Sequence, residues 1–258
     1  MTAVAHTWYM MVRQIRALLR QPWWIAISII QPIIYLVLFG ALFKKVVEIP
    51  GFGGGQSYIT FLTPGIVIMS AMFSGGWSGF GLLEDIDRGV LDRFLITPVR
   101  RAPVVLGKLT QTALTSMIQS LILVLLALAI GASYPGGIVG VIVLFLAGAL
   151  LSVAFGALSS GLALLARREE TLIAIINFVL LPLTFLSSAF LQVSLAPGWI
   201  QTGAKYNPVD WAVQLSRSAL SSNPDWSLIL TRGAYLLAFT VVAIWVSLRA
   251  FRVYQRSV

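Results

Sequence analysis

The side chains able to do chemistry are few and unevenly placed. The chain has no cysteine, one histidine (His6) and nine acidic residues. Four of the acids (Glu84, Asp85, Asp87 and Asp92) fall in one stretch, EDIDRGVLDRFLITPVRR, residues 84–101, interleaved with Arg88, Arg93, Arg100 and Arg101. Without thiols there is neither a disulfide framework nor a thiolate metal site. A Ser–His protease within a membrane would lack its base, because His6 lies near the N-terminus and reads as a surface residue. H-E-x-x-H is absent, and so is the phosphate loop G-x-x-x-x-G-K-[ST]; GFGGGQS at 51–57 has the glycines without the lysine. No catalytic residue and no metal ligand is assigned. If ATP powers this protein, another chain must hydrolyse it.

The elements that must position the charged stretch follow from hydropathy. The chain is 58% hydrophobic and 10% charged, whereas a soluble domain is roughly 25% charged. A membrane-spanning helix needs about 20 apolar residues. Six such runs occur, near 23–43, 58–83, 105–130, 138–166, 171–192 and 228–248. The first is too long for the apolar core of a signal peptide and is kept in the mature protein. The expected fold is an all-α membrane protein of six transmembrane helices, a single transmembrane domain over 1–258. With the N-terminus inside, the cytoplasmic segments hold 13 of the 18 basic residues, so the positive-inside bias puts both termini in the cytoplasm. That bias also accounts for the net charge of +9 without nucleic acid as a partner.

Two segments read as amphipathic. In residues 1–22, Val4, Trp8, Met11, Ile15 and Leu18–Leu19 recur at helical spacing beside Arg13, Arg16 and Arg20. This predicts a helix lying in the headgroup region, against the alternative of a basic tail that sets topology. The 84–101 stretch cannot cross a bilayer, since each charge at mid-membrane costs about 2.5–3.5 kcal/mol. It is expected as a cytoplasmic element between spans two and three. Ile86, Val90, Leu91, Phe94 and Leu95 fall on one helical face, Glu84 and Arg88 stand at i, i+4 in the favourable order, and Pro98 ends the helix at Thr97. An apolar stripe beside balanced charges suits docking to a soluble protein; a solvated loop would need only the arginines.

The run Glu84-x-x-x-Arg88-Gly89-x-Leu91-Asp92-Arg93-Phe94-x-x-Thr97-Pro98-Val99, with the basic pair Arg100–Arg101 and V-L-G-K at 105–108, resembles the cytoplasmic loop of ATP-binding-cassette exporter permeases. The nearest group is the daunorubicin-resistance-type and polysaccharide-exporter-type permeases. Pro64-Gly65-Ile66 and Tyr206-Asn207-Pro208 with Arg217 downstream match as well. The resemblance implies that Glu84, Asp87, Arg88, Gly89, Leu91, Arg93, Phe94, Thr97 and Pro98 form a coupling helix seated in a separate ATPase subunit, which carries the ATP and Mg. The N-terminal helix would be a second contact with that subunit. Two permease chains, identical rather than different, would move a drug, lipid or lipid-linked glycan out of a bacterial cytoplasm across the plasma membrane. A channel or secondary transporter working without an ATPase is the competing reading.

Other features carry two readings each. Gly75 and Gly79 permit close helix approach, either within one chain or at a dimer or substrate face. Pro32 and Pro182 are expected to kink their helices. Gln31, Asn177, Thr184, Ser187 and Ser188 lie at span depth and either line a substrate path or bond neighbouring helices. Residues 193–227 are too broken for a span and read as an outer re-entrant segment or a plain external loop. Arg167-Arg168-Glu169-Glu170 reads as a tight structural turn.

Overall fold

A computed structural model of the chain describes residues 22–45, 57–88, 101–190 and 192–255. Trp8, Arg13, Arg16 and Arg20, and Gly89, Leu91, Arg93, Phe94, Thr97 and Pro98, lie outside the described residues. Every regular element described is helical: α1 (Pro22–Leu42), α2 (Tyr58–Trp77), α3 (Phe80–Asp87), α4 (Arg101–Ala129), α5 (Gly137–Ala166), α6 (Glu169–Phe185), a single 3-10 turn (Val193–Leu195), α7 (Gly198–Lys205), α8 (Pro208–Leu220) and α9 (Trp226–Gln255).

The six longest helices alternate in direction, as successive passes must. Gly75 of α2 and Gly79 just beyond it meet Ser152 and Ser159 of α5 in parallel order, whereas Gly148 and Gly156 of α5 meet Ser120 and Thr112 of α4 in antiparallel order. Among the described residues four helical stretches are long and apolar enough to cross a membrane: Tyr58–Asp87, Gly107–Ala129, Gly137–Ala166 and Trp226–Val253. The other two expected spans are shorter apolar helices, Ala26–Leu42 within α1 and the 17 residues of α6.

Helix α5 is the hub, packed on α2, α4, α8 and α9. It can serve so many neighbours because its packing faces are Gly, Ala and Ser, which let backbones approach closely. Helix α2 is buried on all sides from Thr60 to Met72, as expected of a helix apolar all round at the centre of a bundle. Its N-terminus is capped by Ser57, whose hydroxyl accepts from the Thr60 N–H at 3.3 Å. Exposed apolar residues run along the outer helices, among them Ile30, Ile34 and Val37 of α1, Phe178 and Phe185 of α6, and Val241 and Val242 of α9. A water-exposed protein does not tolerate such continuous faces; lipid does.

Two boundaries differ from the sequence expectation, and a third lies at the edge of the described residues. The second span is not one uninterrupted helix: its hydrogen-bond ladder is broken at Ser78–Gly79 before α3 resumes. The expected amphipathic helix is described only as far as Arg88; Val90, Leu91, Phe94 and Leu95 of its stripe lie outside the described residues. Helix α3 ends at Asp87 with Arg88 as its C-cap, and Ile86 packs against the bundle core instead of standing on a docking face. Gly89 follows in the sequence, and a glycine just past a helix end is the commonest stop signal. Finally, the fifth span ends at Phe185 rather than Gln192, and the backbone beyond it is bonded elsewhere.

Candidate functional site

The backbone beyond α6 is held at the end of the bundle shared by the start of α2 and by α8. Helix α8 opens on Asn207-Pro208, a capping residue followed by proline at the first helical position, where its missing N–H costs nothing. The Asn207 side chain works in two directions. Its Oδ1 accepts from the Val209 N–H at 2.9 Å, capping its own helix. Its Nδ2 donates to the carbonyls of Leu183 at 2.7 Å and Leu186 at 2.9 Å, the open C-terminal end of α6.

Asp210, Gln214 and Arg217 follow at i, i+4 and i+7, one face of α8. Asp210 Oδ1 accepts from the Ser188 N–H at 2.8 Å, and Oδ2 accepts from Gln214 Nε2 at 2.6 Å. Arg217 Nη2 donates to Ala189 O at 3.2 Å and Nε to Phe61 O at 3.1 Å. Its guanidinium lies 3.6 Å from the centre of the Phe61 ring, a cation–π contact. From α2, the Tyr58 hydroxyl donates to Phe190 O at 3.1 Å. Residues 183–190 are therefore clamped by their backbone, from four side chains on two helices.

The physical need is plain. A chain that leaves helical geometry in apolar surroundings exposes N–H and C=O groups that lipid cannot satisfy, and α8 supplies the partners. Burial pushes the Asp210 carboxyl above its ordinary range, while the Ser188 bonds and the nearby Arg217 and Arg232 pull the other way. Burial lowers Arg217 to about 9, opposed by Asp210 and Tyr58, so the guanidinium stays cationic at neutral pH.

The two outer motifs of the sequence meet here. Pro64 has no N–H to give the Thr60 carbonyl and opens that turn of α2, next to the Phe61 carbonyl that Arg217 bonds. Gly65 lies against the Ala189 backbone, where a Cβ would come within 2.8 Å of Ala189 Cα. Pro64-Gly65 and Asn207-Pro208…Arg217, loose as separate motifs, form one site around 183–190.

The residues expected to line a path separate into two groups. Thr184, Ser187 and Ser188 are buried at the clamp. There the Thr184 hydroxyl donates to Leu180 O at 2.8 Å and the Ser187 hydroxyl to Thr184 O at 2.7 Å. Gln31 is exposed and donates to the Tyr35 hydroxyl, while Asn177 donates to Ile173 O one turn back. The structure does not bring these five together. Sequence reasoning missed Asp210 and Tyr58. Asp210 was detectable, being an acid seven residues before Arg217 in an apolar stretch.

Gly75 and Gly79 pack within the chain, against Ser152 and Ser159 of α5. At the opposite end of the bundle, Glu84 and Arg88 make the expected i, i+4 ion pair at 2.5 Å, with side chains 58% and 70% exposed. Residues 193–227 are mostly helical rather than a plain loop, with Val209, Ala212, Val213 and Leu215 of α8 in the core.

Comparison with known proteins agrees with this architecture. Residues 5–221 match the ABC-2 type transporter family. The chain is 31% identical over 228 residues to the putative transport permease ycf38 of Porphyra purpurea, covering 85% of this chain and 77% of that protein. It is 27% identical over 240 residues to the daunorubicin resistance ABC transporter permease protein DrrB1 of Streptomyces coeruleorubidus, covering 92% and 83%. It is also 27% identical over 226 residues to nodulation protein J of Rhizobium leguminosarum bv. trifolii, covering 86% and 83%. With the family matched over most of its length and its helices built as a multi-pass membrane bundle, this chain belongs to the ABC-2 type transporter family of membrane permease subunits.

Proposed function

We propose that the chain is the permease of an ATP-driven exporter, pairing with a second, identical copy. A separate ATPase subunit that binds ATP and Mg docks on residues 84–101. The observation that carries this reading is α3. It extends the most buried helix of the bundle, and it ends in an exposed Glu84–Arg88 pair directly before the loop whose motif resembles a coupling element. A push on that loop has a continuous route, through α3 and the Ser78–Gly79 joint, into the membrane core. The N-terminal residues Trp8, Arg13, Arg16 and Arg20 form a second contact, and both termini face the cytoplasm of a bacterial cell. The cargo is apolar or amphipathic, in keeping with the scarcity of charge in the spans and with a relative named for daunorubicin resistance.

Glu84→Ala and Arg88→Glu test the docking. The exposed pair is worth only about 0.3–0.5 kcal/mol, so insertion and thermal stability should stay near wild type. Transport and stimulation of ATP hydrolysis by cargo should fall together, by about tenfold or more, a coupling free energy within the usual range. Wild-type values for both variants would remove α3 from the coupling path. The chain should also co-purify with a soluble subunit carrying a phosphate loop. Transport by the purified chain alone in liposomes would favour a secondary transporter instead.

A further inference from the structure

The break between α2 and α3 is made by one side chain from another helix. The Gly79 N–H donates to Ser159 Oγ at 3.2 Å, and the Ser159 hydroxyl donates to Gly76 O. The Ser78 N–H bonds Gly75 O at 3.0 Å, a 3-10 contact. Ser159 of α5 has thus inserted into the i→i−4 ladder of α2, one of the few identifiable causes of a helix bend. Short 3-10 stretches within a helix often mark hinges.

The surroundings are built for relative movement. Gly75 and Gly79 face Ser152 and Ser159 with backbones in contact, and Gly156 faces Ser78, whose Oγ would lie 3.1 Å from an added Cβ. At these positions the seam is made by small residues and backbone contact. The Ser78 and Ser152 hydroxyls are buried along it without hydrogen-bond partners among the described residues. A buried hydroxyl without a partner is costly and uncommon, and these two lie where a shift of α2 along α5 would bring new backbone carbonyls past them. Sliding of packed helices is a recognised route of domain motion.

We propose that Ser159 is a positioning residue for coupling. Its hydroxyl pins the Ser78–Gly79 joint and so sets the angle of α3 against α2. The mechanical part concerns this chain alone; the coupling part rests on the exporter reading above.

Two measurements separate these parts. The chain has no native cysteine, so a spin-label pair at Asp87→Cys and Arg168→Cys reports the angle of α3 against the exposed α5–α6 turn with no ATPase present. Ser159→Ala is expected to broaden that distance distribution. Ser160→Ala removes a neighbouring buried hydroxyl with no hydrogen-bond partner among the described residues, and should leave the distribution unchanged. Gly79→Ala, whose methyl would meet both Ser159 Oγ and the Ser159 carbonyl, disturbs the same joint from the other side and should broaden it at least as much; Ser159→Gly, which removes the hydroxyl without adding bulk, serves if Ser159→Ala folds poorly. In liposomes with the ATPase subunit, Ser159→Ala should raise the ATP hydrolysed per molecule transported by about fivefold or more. An unchanged distribution in Ser159→Ala and Gly79→Ala, or equal broadening in Ser160→Ala, overturns the joint. A broadened distribution with an unchanged coupling ratio overturns its role in coupling. Wild-type transport that needs no ATPase would sink the exporter reading while leaving the distance result standing.

Discussion

Gly65→Ala is expected to cost about 3 kcal/mol, the upper part of the usual range for overpacking, and to abolish transport. The added methyl would meet the carbonyl and Cα of Ala189, the Cα at 2.8 Å. Neither can turn aside, because Ala189 O is bonded to Arg217 and its neighbour Ser188 to Asp210. The chain must then either separate α2 from residues 183–190 or break the clamp. Gly76→Ala should cost less. Its methyl would meet the Leu180 Cδ1 at 2.6 Å, and the end of a leucine can adopt another rotamer. Gly148→Ala should be neutral or stabilising by up to about 1 kcal/mol, since glycine within a helix is intrinsically unfavourable and the new methyl makes an ordinary 3.5 Å contact with Ala71. Thermal unfolding of the detergent-purified variants reads this series directly. The expected shift for Gly65→Ala is about 6–12 °C downward. A fall in Gly148→Ala as large as in Gly65→Ala would show that any methyl added within the bundle, not the close backbone contact at Ala189, sets these values.

What was legible in the sequence was local. The Glu84–Arg88 pair is fixed by helix periodicity and needs no other part of the chain, so spacing predicted it and the structure contains it. The helix centres follow from apolar runs, because lipid demands them wherever the helices pack. The ends and breaks were not legible, for they depend on remote partners. The interruption at Ser78–Gly79 comes from Ser159, eighty residues away, and SGGWSGFG alone shows only that close packing is permitted there. The end of α6 at Phe185 depends on Asn207 and Asp210, more than twenty residues later; hydropathy ran on to Gln192 because the intervening LSSAF is apolar enough. The end of α3 at Asp87 coincides with a sequence signal, Gly89 just past it; the rest of the apolar stripe, through Leu95, lies outside the described residues. For the clamp, Asn207, Pro208 and Arg217 were visible as a motif, but their targets are backbone groups, which leave no mark in side-chain type.

Arg217→Met carries the other large effect. Methionine keeps an apolar stem over the Phe61 ring and removes the guanidinium. The losses are charge-assisted bonds to Phe61 O and Ala189 O, worth about 1.5–3 kcal/mol each in favourable cases, and a cation–π contact of about 0.5–2 kcal/mol. Some of the freed carbonyls will find water, so the expected net cost is about 2–4 kcal/mol, less than the sum of the lost bonds. Lysine should restore little. Its single ammonium cannot present the planar fork that reaches two carbonyls while lying on an aromatic face. The informative comparison is a cycle with Asp210→Leu. Asp210 is fully buried and accepts from Ser188 and Gln214, but no ion pair holds it among the described residues. If Arg217 stabilises it through space, the double variant should be less damaged than the two single losses added together, by about 1 kcal/mol or more. Strict additivity would mean that the two side chains grip residues 183–190 independently. The clamp would then be a set of separate backbone bonds, and a change at either residue would loosen that segment without altering the other. Coupled losses would make Asp210, the α6 end and Arg217 one unit. Movement of α2 past Phe61 would then be felt at Ser188 on the far side of the segment.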